Sequence, residues 1–236
     1  LRVTDSGGLT RDEVVTIGVT NTNEAPTLTN LSGDSLSYSE DAGAVVIEQG
    51  ANVLVADIDS SNFDTGTLTI SIPSGGASAE DVLSIRNQGT GAGQIGVSGS
   101  TISYEGTAIG TFTGGSGGSN LVITFNSGAI PTAVTALIKN ITYANTDTAA
   151  PTTGSRTVRY VLTDGDGGTS TNYDATVTVS AVNDAPVLAD SNLTFTVLED
   201  AGAPVNGTAV GAPLSAFTGS VTDPDGAVAK GLAIIS

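Results

Sequence analysis

The feature that most constrains this chain of 236 residues is an internal repeat. The motif Asn-acid-Ala-Pro ends at Pro26 and again at Pro186, 160 residues later. A second motif, Glu-Asp-Ala-Gly, begins at Glu40 and again at Glu199, 159 residues later. Because two independent motifs give nearly the same period, chance similarity is a poor explanation, and the chain is predicted to be part of a tandem array.

The repeat divides the chain into three predicted parts. Residues 1–25 form the C-terminal end of one repeat, residues 26–185 a complete repeat, and residues 186–236 the N-terminal part of a third. Neither terminal part holds a whole repeat, so we expect the sequence to be a window of a longer array. Each linker Pro fixes φ and has no amide donor, which suits the entry to an edge strand and predicts a short, stiff connection.

Alternating apolar residues predict β-strands in the complete repeat. The alternating segments are LTISI (68–72), STISYEGTAIGTF (100–112), NLVITF (120–125), RTVRYVLT (156–163) and DATVTVSAV (174–182). Closely spaced strands separated by turn residues predict a β-sandwich. Residues 2–26 repeat the end of this pattern: a strand, a glycine turn with an Asp, a second strand and the linker. The glycine-rich stretch 114–119 is predicted to be a hairpin loop.

One segment of the complete repeat has helical rather than alternating periodicity. Its apolar residues fall at steps of four, three, one and three, which forms one face of a helix; they are Ile130, Val134, Leu137, Ile138 and Ile141. Pro131 suits a first helical turn, and Ser127 or Thr132 is close enough to cap it. The sequence therefore predicts one short helix over about residues 131–140.

Composition excludes several kinds of chemistry. The chain has no Cys and no His, which removes disulfides, thiolate metal sites and the usual general base. Its net charge of −17 would repel nucleic acid and anionic membrane surfaces and attract cations. No apolar run approaches the length of a membrane span. We therefore expect no nucleic-acid partner and no membrane insertion.

Acidic residues recur at fixed places in the repeat. Two Asp-x-Asp pairs end predicted strands, at Asp57 and Asp59 and again at Asp223 and Asp225. A single pair of this kind is often only a turn, but two pairs in the same register are a stronger signal. Carboxylate, amide and backbone oxygens are the ligands that Ca²⁺ prefers, whereas the absence of His and Cys disfavours zinc, copper and iron. The sequence therefore predicts bound Ca²⁺.

These motifs together resemble a known family. A strand followed by Asp-x-Asp, an early Glu, Asp-Gly-Gly before the last strand and a closing Asn-acid-Ala-Pro are similar to the cadherin repeat. They resemble still more closely the bacterial cadherin-like repeats of large secreted adhesins of the RTX type. The resemblance implies tandem Greek-key β-sandwiches of the cadherin or immunoglobulin kind, located outside the cell or on its surface, with Ca²⁺ at the junctions between repeats.

The resemblance also implies a ligand set for each junction. At the first junction the ligands would be Asn23, Glu24, Asp57, Asp59 and Asp164; at the second they would be Glu40, Asn183, Asp184, Asp223 and Asp225. Asp5 would serve a junction upstream of this sequence. Where cadherin linkers begin with an acid, this chain has Asn21 and Ala181, so we expect one or two ions at each junction.

Three kinds of function are open to a chain with these features. The leading prediction is a non-enzymatic structural and adhesion repeat, in which Ca²⁺ stiffens an extended rod or fibre. Its partners would be calcium, neighbouring repeats, and cell-surface or matrix ligands or like subunits. The alternative is a module that binds a carbohydrate or another surface ligand through the insertion at 74–128. An enzyme is not expected: Glu40 and Asp41 could form a glycosidase pair, but such residues recur as scaffold features do.

Overall fold

A computed structural model describes residues 1–188 and 221–226. Within the described residues, the regular secondary structure is β-strand apart from one helix, so the predicted all-β class is confirmed. The strands are β1 (Arg2–Thr4), β2 (Thr10–Asp12), β3 (Thr27–Thr29), β4 (Ser35–Ser39), β5 (Val45–Val46), β6 (Leu54–Ala56), β7 (Thr67–Ser74), β8 (Asp81–Ile85), β9 (Ile95–Ser98), β10 (Thr101–Tyr104), β11 (Thr107–Thr113), β12 (Leu121–Phe125), β13 (Ile141–Asn145), β14 (Gly154–Leu162), β15 (Tyr173–Ser180), β16 (Val187–Leu188) and β17 (Val221–Thr222). The helix, α1, is Pro131–Ile138. The second copy of the Glu-Asp-Ala-Gly motif, at Glu199, lies outside the described residues.

The strands of the middle repeat form several sheets. The largest has eight strands in the order β4-β15-β14-β7-β12-β11-β10-β9, and a second sheet has the order β5-β13-β8. A small sheet pairs β3 with β6. All neighbours are antiparallel except β15 and β4, which run parallel. This one parallel pair places the C-terminal ends of β4 and β15 at the same edge of the sheet.

Apolar residues at every second position explain why these segments form the large sheet, because successive side chains of a strand point to opposite faces. In β15, Ala175, Val177 and Val179 are buried, whereas the residues between them are exposed. The segment 100–112, which also alternates, is two strands rather than one. Glu105 and Gly106 turn the chain between β10 and β11 with φ of 52° and 81°. Such a two-residue turn matches the twist of a hairpin.

The predicted helix is confirmed, but its predicted cap is not. The residue before the helix is Ile130, and neither Ser127 nor Thr132 caps it, because no side chain accepts a hydrogen bond there. Pro131 has no amide hydrogen and so removes one of the donors that a cap would satisfy. Tertiary contact stabilises the helix instead: Val55 in β6 donates its amide hydrogen to Thr135 Oγ1, 3.0 Å away. The helix of the described residues is too short to cross a membrane.

Among the described residues, the core contains one buried ion pair. Arg156 is 1% exposed, and its Nε lies 3.3 Å from Asp81 Oδ1. The same carboxylate accepts a hydrogen bond from the Tyr143 hydroxyl and one from the Ala77 amide. The guanidinium also donates to backbone carbonyls, including that of Gly154 at 2.8 Å. Every charged group of this network therefore has hydrogen-bond partners, as burial requires.

The N-terminal segment departs from its predicted structure. Strand β2 ends at Asp12, and residues 13–26 form no strand, whereas the sequence predicts a longer one. Ile17 and Val19 are exposed, although the residues at the matching positions of the complete repeat, Val177 and Val179, are buried. The reason is pairing: β15 lies between β14 and β4, whereas β2 pairs with β1 alone in the described part of the chain.

Candidate metal centre

The first junction is assembled by the pairing of β3 with β6. The register places Thr27 opposite Ala56, and the two strands are antiparallel. The linker enters β3 at this end, and the Asp57–Asp59 pair leaves β6 at the same end. Residues more than 30 positions apart in sequence therefore lie side by side, as the Glu24 amide shows by donating to Asp59 Oδ2 at 3.1 Å.

The two Asp residues after β6 have different surroundings. Asp57 Oδ1 accepts hydrogen bonds from the amides of Asp59, at 3.2 Å, and Ser60, at 3.0 Å. Asp57 Oδ2 is buried and has no hydrogen-bond partner. Asp59 Oδ2 accepts hydrogen bonds from the linker, one of them from Asn21 Nδ2 at 3.1 Å. One carboxylate therefore shapes the turn and keeps an unpaired oxygen, and the other holds the linker.

Asp164 joins this junction from the loop between β14 and β15. It is fully buried, and its Oδ1 accepts hydrogen bonds from the amides of Asp166, Gly167 and Gly168 at 2.8, 3.0 and 2.9 Å. Asn23 Nδ2 donates to Asp164 Oδ2 at 2.9 Å. Because this amide group uses its nitrogen here, the side-chain oxygen of Asn23 remains available as a ligand.

A close approach between the loop and the linker requires glycine at position 168. A Cβ on Gly168 would lie 2.2 Å from Asp164 Oδ2 and 2.8 Å from the carbonyl oxygen of Glu24. The loop segment 164–168 therefore supplies both the carboxylate of Asp164 and, at Gly168, the space that lets the linker reach it. The predicted ligands of the first junction lie together at one end of the middle repeat.

The carboxylates of the first junction perturb one another. Desolvation raises the pKa of Asp57. The hydrogen bond from the Ser60 amide lowers it in part, and the neighbouring Asp59 raises it further. Desolvation opposes the shift, but the pKa of Asp59 is lowered by its proximity to the Asp57 side chain and by the hydrogen bond that it accepts from the Glu24 amide. Desolvation and the charges of Asp59 and Asp57 raise the pKa of Glu24. Opposite shifts within one pair are typical of like charges that share a site, and a cation would relieve them.

The second junction contains Glu40, at the end of the strand that runs parallel to β15. The residue is 4% exposed, and its amide donates to the Ser180 carbonyl at 3.0 Å. Glu40 Oε2 accepts the amide hydrogen of Val182 at 2.8 Å, whereas Oε1 is buried without a partner. A buried carboxylate of the middle repeat is thus attached to the second linker.

The second Asp-x-Asp pair repeats the contacts of the first. Strands β16 and β17 are antiparallel with Val187 opposite Thr222. The Asp184 amide donates to Asp225 Oδ2 at 2.5 Å, as Glu24 does to Asp59. The Asp225 amide donates to Asp223 Oδ1 at 3.1 Å, as Asp59 does to Asp57. The two junctions therefore have the same linker-to-pair arrangement.

The other contacts of the second linker differ from those of the first. Asp184 Oδ2 is buried without a hydrogen-bond partner, and Asn183 Nδ2 donates to the Asp184 carbonyl at 2.9 Å. In the described part of the chain, no hydrogen bond joins Glu40 to Asp223 or Asp225; both groups contact the linker instead.

Sequence reasoning missed two participants at the first junction. Asn21 stands where the family pattern has an acid and is not among the predicted ligands, yet it donates to the carboxylate of Asp59. Asp166 is likewise not among the predicted ligands, yet its Oδ2 accepts a hydrogen bond from Ser60 Oγ at 3.4 Å. The signal for Asp166 was its position two residues after Asp164, in a third Asp-x-Asp sequence.

Carboxylates alone do not complete either centre. Within the described ranges, no group of three or more Asp or Glu side chains is already arranged to hold a metal ion. Asn side-chain oxygens and backbone carbonyls of the linkers would have to supply the remaining ligands, which Ca²⁺ accepts readily. Comparisons with protein-family models, with curated proteins and with solved structures found no match.

Proposed function

We propose that this chain is a non-enzymatic calcium-binding repeat, whose junctions become rigid when Ca²⁺ binds. One observation carries the proposal. The described residues contain four buried side-chain oxygens or nitrogens without a hydrogen-bond partner, and three of them are carboxylate oxygens of predicted calcium ligands: Glu40 Oε1, Asp57 Oδ2 and Asp184 Oδ2. An unpaired buried carboxylate oxygen is costly, and a divalent cation is the partner that this oxygen-only donor set suits.

Repetition of the arrangement supports the proposal. At both junctions the linker amide donates to the second Asp of the pair, whose own amide donates to the first. Turns alone would explain one such arrangement, but not unpaired buried oxygens at both. An ion bound here would be shared by the linker and the strands on either side, so that bending would require breaking coordination bonds.

The proposed role is mechanical. Without metal, the acidic side chains of a junction repel one another and favour bent arrangements of the linker. With Ca²⁺, successive repeats would form an extended rod or fibre. We place such a rod on a bacterial surface or among secreted proteins, where it would carry adhesion to cell-surface or matrix ligands or to like subunits. The net charge of −17 suits this setting, because it keeps an exposed rod soluble.

Small-angle scattering of the whole chain in Ca²⁺, Mg²⁺ and EDTA tests the role. We expect a greater maximum dimension and a narrower distribution of shapes in Ca²⁺. Mg²⁺ should have much less effect, because it keeps its waters and requires octahedral geometry. The same dimensions in all three conditions would show that calcium is not the stiffening agent.

Calorimetric titration with Ca²⁺ tests the residues. Replacing Asp57 and Asp59 together with Ala should weaken the first site and leave the second, whereas Asp223→Ala should do the reverse. Asp64→Asn removes one exposed charge from the loop after β6 and is the matched control. If both sets of substitutions weaken one and the same site, the assignment of ligands to junctions is wrong.

A further inference from the structure

A cleft of about 530 Å³ opens on the middle repeat, and none of the predicted calcium ligands lines it. Helix α1 forms one wall, and the chain between β8 and β10 forms another. The polar side chains that line it include Glu48, Arg86, Gln88, Tyr104, Thr132 and Lys139. Its volume is within the range of small-molecule sites in proteins. One wall belongs to the 74–128 insertion, which the sequence offered as a ligand-binding segment.

The positive charges of this cleft are unusual in so acidic a chain. The sequence has only 7 basic residues against 24 acidic ones. Four basic side chains of the described residues pair with carboxylates: Arg2 with Asp12, Arg11 with Glu13, Arg156 with Asp81 and Arg159 with Asp174. The other two in the described ranges, Arg86 and Lys139, form no ion pair, and both line the cleft.

Arg86 is held in place from behind. Its Nε donates to Asn140 Oδ1 at 2.8 Å, and its amide donates to the Asn140 carbonyl at 2.8 Å. Asn140 is 4% exposed, and its own Nδ2 donates to the Ala136 carbonyl at 2.8 Å. The two terminal nitrogens of the guanidinium have no partner in the described chain. A fixed guanidinium with free terminal nitrogens is suited to a carboxylate, which it binds through two parallel hydrogen bonds.

The acid that lines the cleft does not neutralise these cations by contact. Glu48 is buried, and its Oε1 accepts the amide hydrogens of Asn52, at 2.8 Å, and Val53, at 3.1 Å. It forms no ion pair with Arg86 or Lys139 in the described chain. The carboxylate thus shapes the backbone beside the cleft, and the cations remain available to a ligand.

The uncharged side chains of the cleft indicate which uncharged groups the ligand carries beside its carboxylate. Gln88 Oε1 accepts the Ile95 amide at 3.2 Å, which leaves its Nε2 as a free donor. Thr132 offers an exposed hydroxyl, and Tyr104 offers an aromatic ring and a hydroxyl. Hydroxyl and amide groups around two cations match a small molecule with one carboxylate and several hydroxyls. A polyanion is disfavoured by the acidic surface outside the cleft.

We infer that this cleft binds an acidic sugar, with Arg86 and Lys139 on its carboxylate and Gln88, Thr132 and Tyr104 towards its hydroxyls. The site lies beyond the proposed calcium function and does not depend on it. Binding should therefore persist in EDTA, and failure of one proposal leaves the other standing.

The test is a calorimetric or NMR titration of the whole chain in EDTA with the methyl glycoside of glucuronic acid. Methyl glucoside, which lacks the carboxylate, and inorganic phosphate are the comparison ligands. Arg86→Gln and Lys139→Gln should each weaken the glucuronide by about tenfold or more, as expected for the loss of a charge-assisted contact. Arg11→Gln makes the same change of charge at an exposed pair far along the chain and should leave the affinity unchanged.

Three results would overturn the inference. The first is equal affinity for methyl glucoside, which would remove the role of the carboxylate. The second is binding of phosphate but not of the glucuronide, which would make the cleft a simple anion site. The third is equal weakening by Arg11→Gln, which would show that overall charge, and not the cleft, governs binding.

Discussion

Replacing Asp57 with Asn tests the calcium proposal most directly. Asp57 Oδ1 accepts two backbone hydrogen bonds, which an Asn side-chain oxygen also accepts. The buried, unpaired Oδ2 becomes an uncharged NH₂ group, which can donate to the neighbouring Asp59. The substitution therefore keeps the turn after β6 and removes the charge that a cation would neutralise.

The structure gives the expected magnitudes. A buried acceptor without a partner costs about 1–3 kcal/mol, and because Asp57 is only partly buried we take about 1 kcal/mol as the gain of Asp57→Asn in EDTA. This corresponds to a rise in Tm of about 2–4 °C for a unit of this size. Ca²⁺ at roughly a hundredfold excess over its Kd stabilises the native wild type by about 2.7 kcal/mol, or about 5–11 °C. The variant should lose most of that increase.

The order of stability should therefore reverse between the two conditions. In EDTA the variant melts at the higher temperature, and in Ca²⁺ the wild type does. Thermal unfolding followed by circular dichroism or calorimetry measures both, with Asp64→Asn as the control of equal charge change. An equal Ca²⁺-induced rise in Tm for the wild type and Asp57→Asn would refute the assignment of Asp57 as a ligand.

The same pair of proteins predicts a pH dependence. Because desolvation raises the pKa of Asp57, the folded state binds that proton more tightly than the unfolded chain does. Ionised Asp57 therefore opposes folding at neutral pH, and this penalty disappears as the pH falls through the raised pKa. In EDTA, the advantage of Asp57→Asn should shrink between neutral pH and about pH 4. An advantage independent of pH would show that charge is not its cause.

Two further predictions concern the middle repeat and are measured by denaturant unfolding. Arg156→Met leaves Asp81 buried without its cation and should lower the free energy of unfolding by about 3–5 kcal/mol, whereas Arg159→Met, at a partly exposed ion pair, should cost less than about 1 kcal/mol. Equal losses would show that burial does not govern these pairs. Gly75→Ala should also destabilise the repeat, because φ there is +74° and a Cβ would lie 2.0 Å from the Ser155 carbonyl oxygen. An unchanged denaturation midpoint would mean that the backbone at Gly75 can move away from Ser155.

Much of the local structure follows from the sequence alone. Alternation in residues 174–182 predicts β15, because a strand with one buried face needs an apolar residue at every second position. Steps of three and four around Pro131 predict the helix for the corresponding reason. The recurrence of Asn-acid-Ala-Pro and Asp-x-Asp identifies the residues that the structure brings to the two junctions. These are properties of neighbouring residues, and a sequence displays them directly.

Tertiary structure decided what depends on pairing between distant segments. The parallel register of β4 with β15 puts Glu40 against the second linker, and the antiparallel register of β3 with β6 puts Asp57 beside the first. Pairing also explains the error over residues 13–19, since alternation forms a strand only where a neighbouring strand accepts its hydrogen bonds. The cleft, likewise, combines Arg86 with Lys139 through the fold. Periodicity shows which side of an element is buried. Only the packing of distant segments shows which carboxylate oxygen is buried without a hydrogen-bond partner and which cation is left without an ion pair.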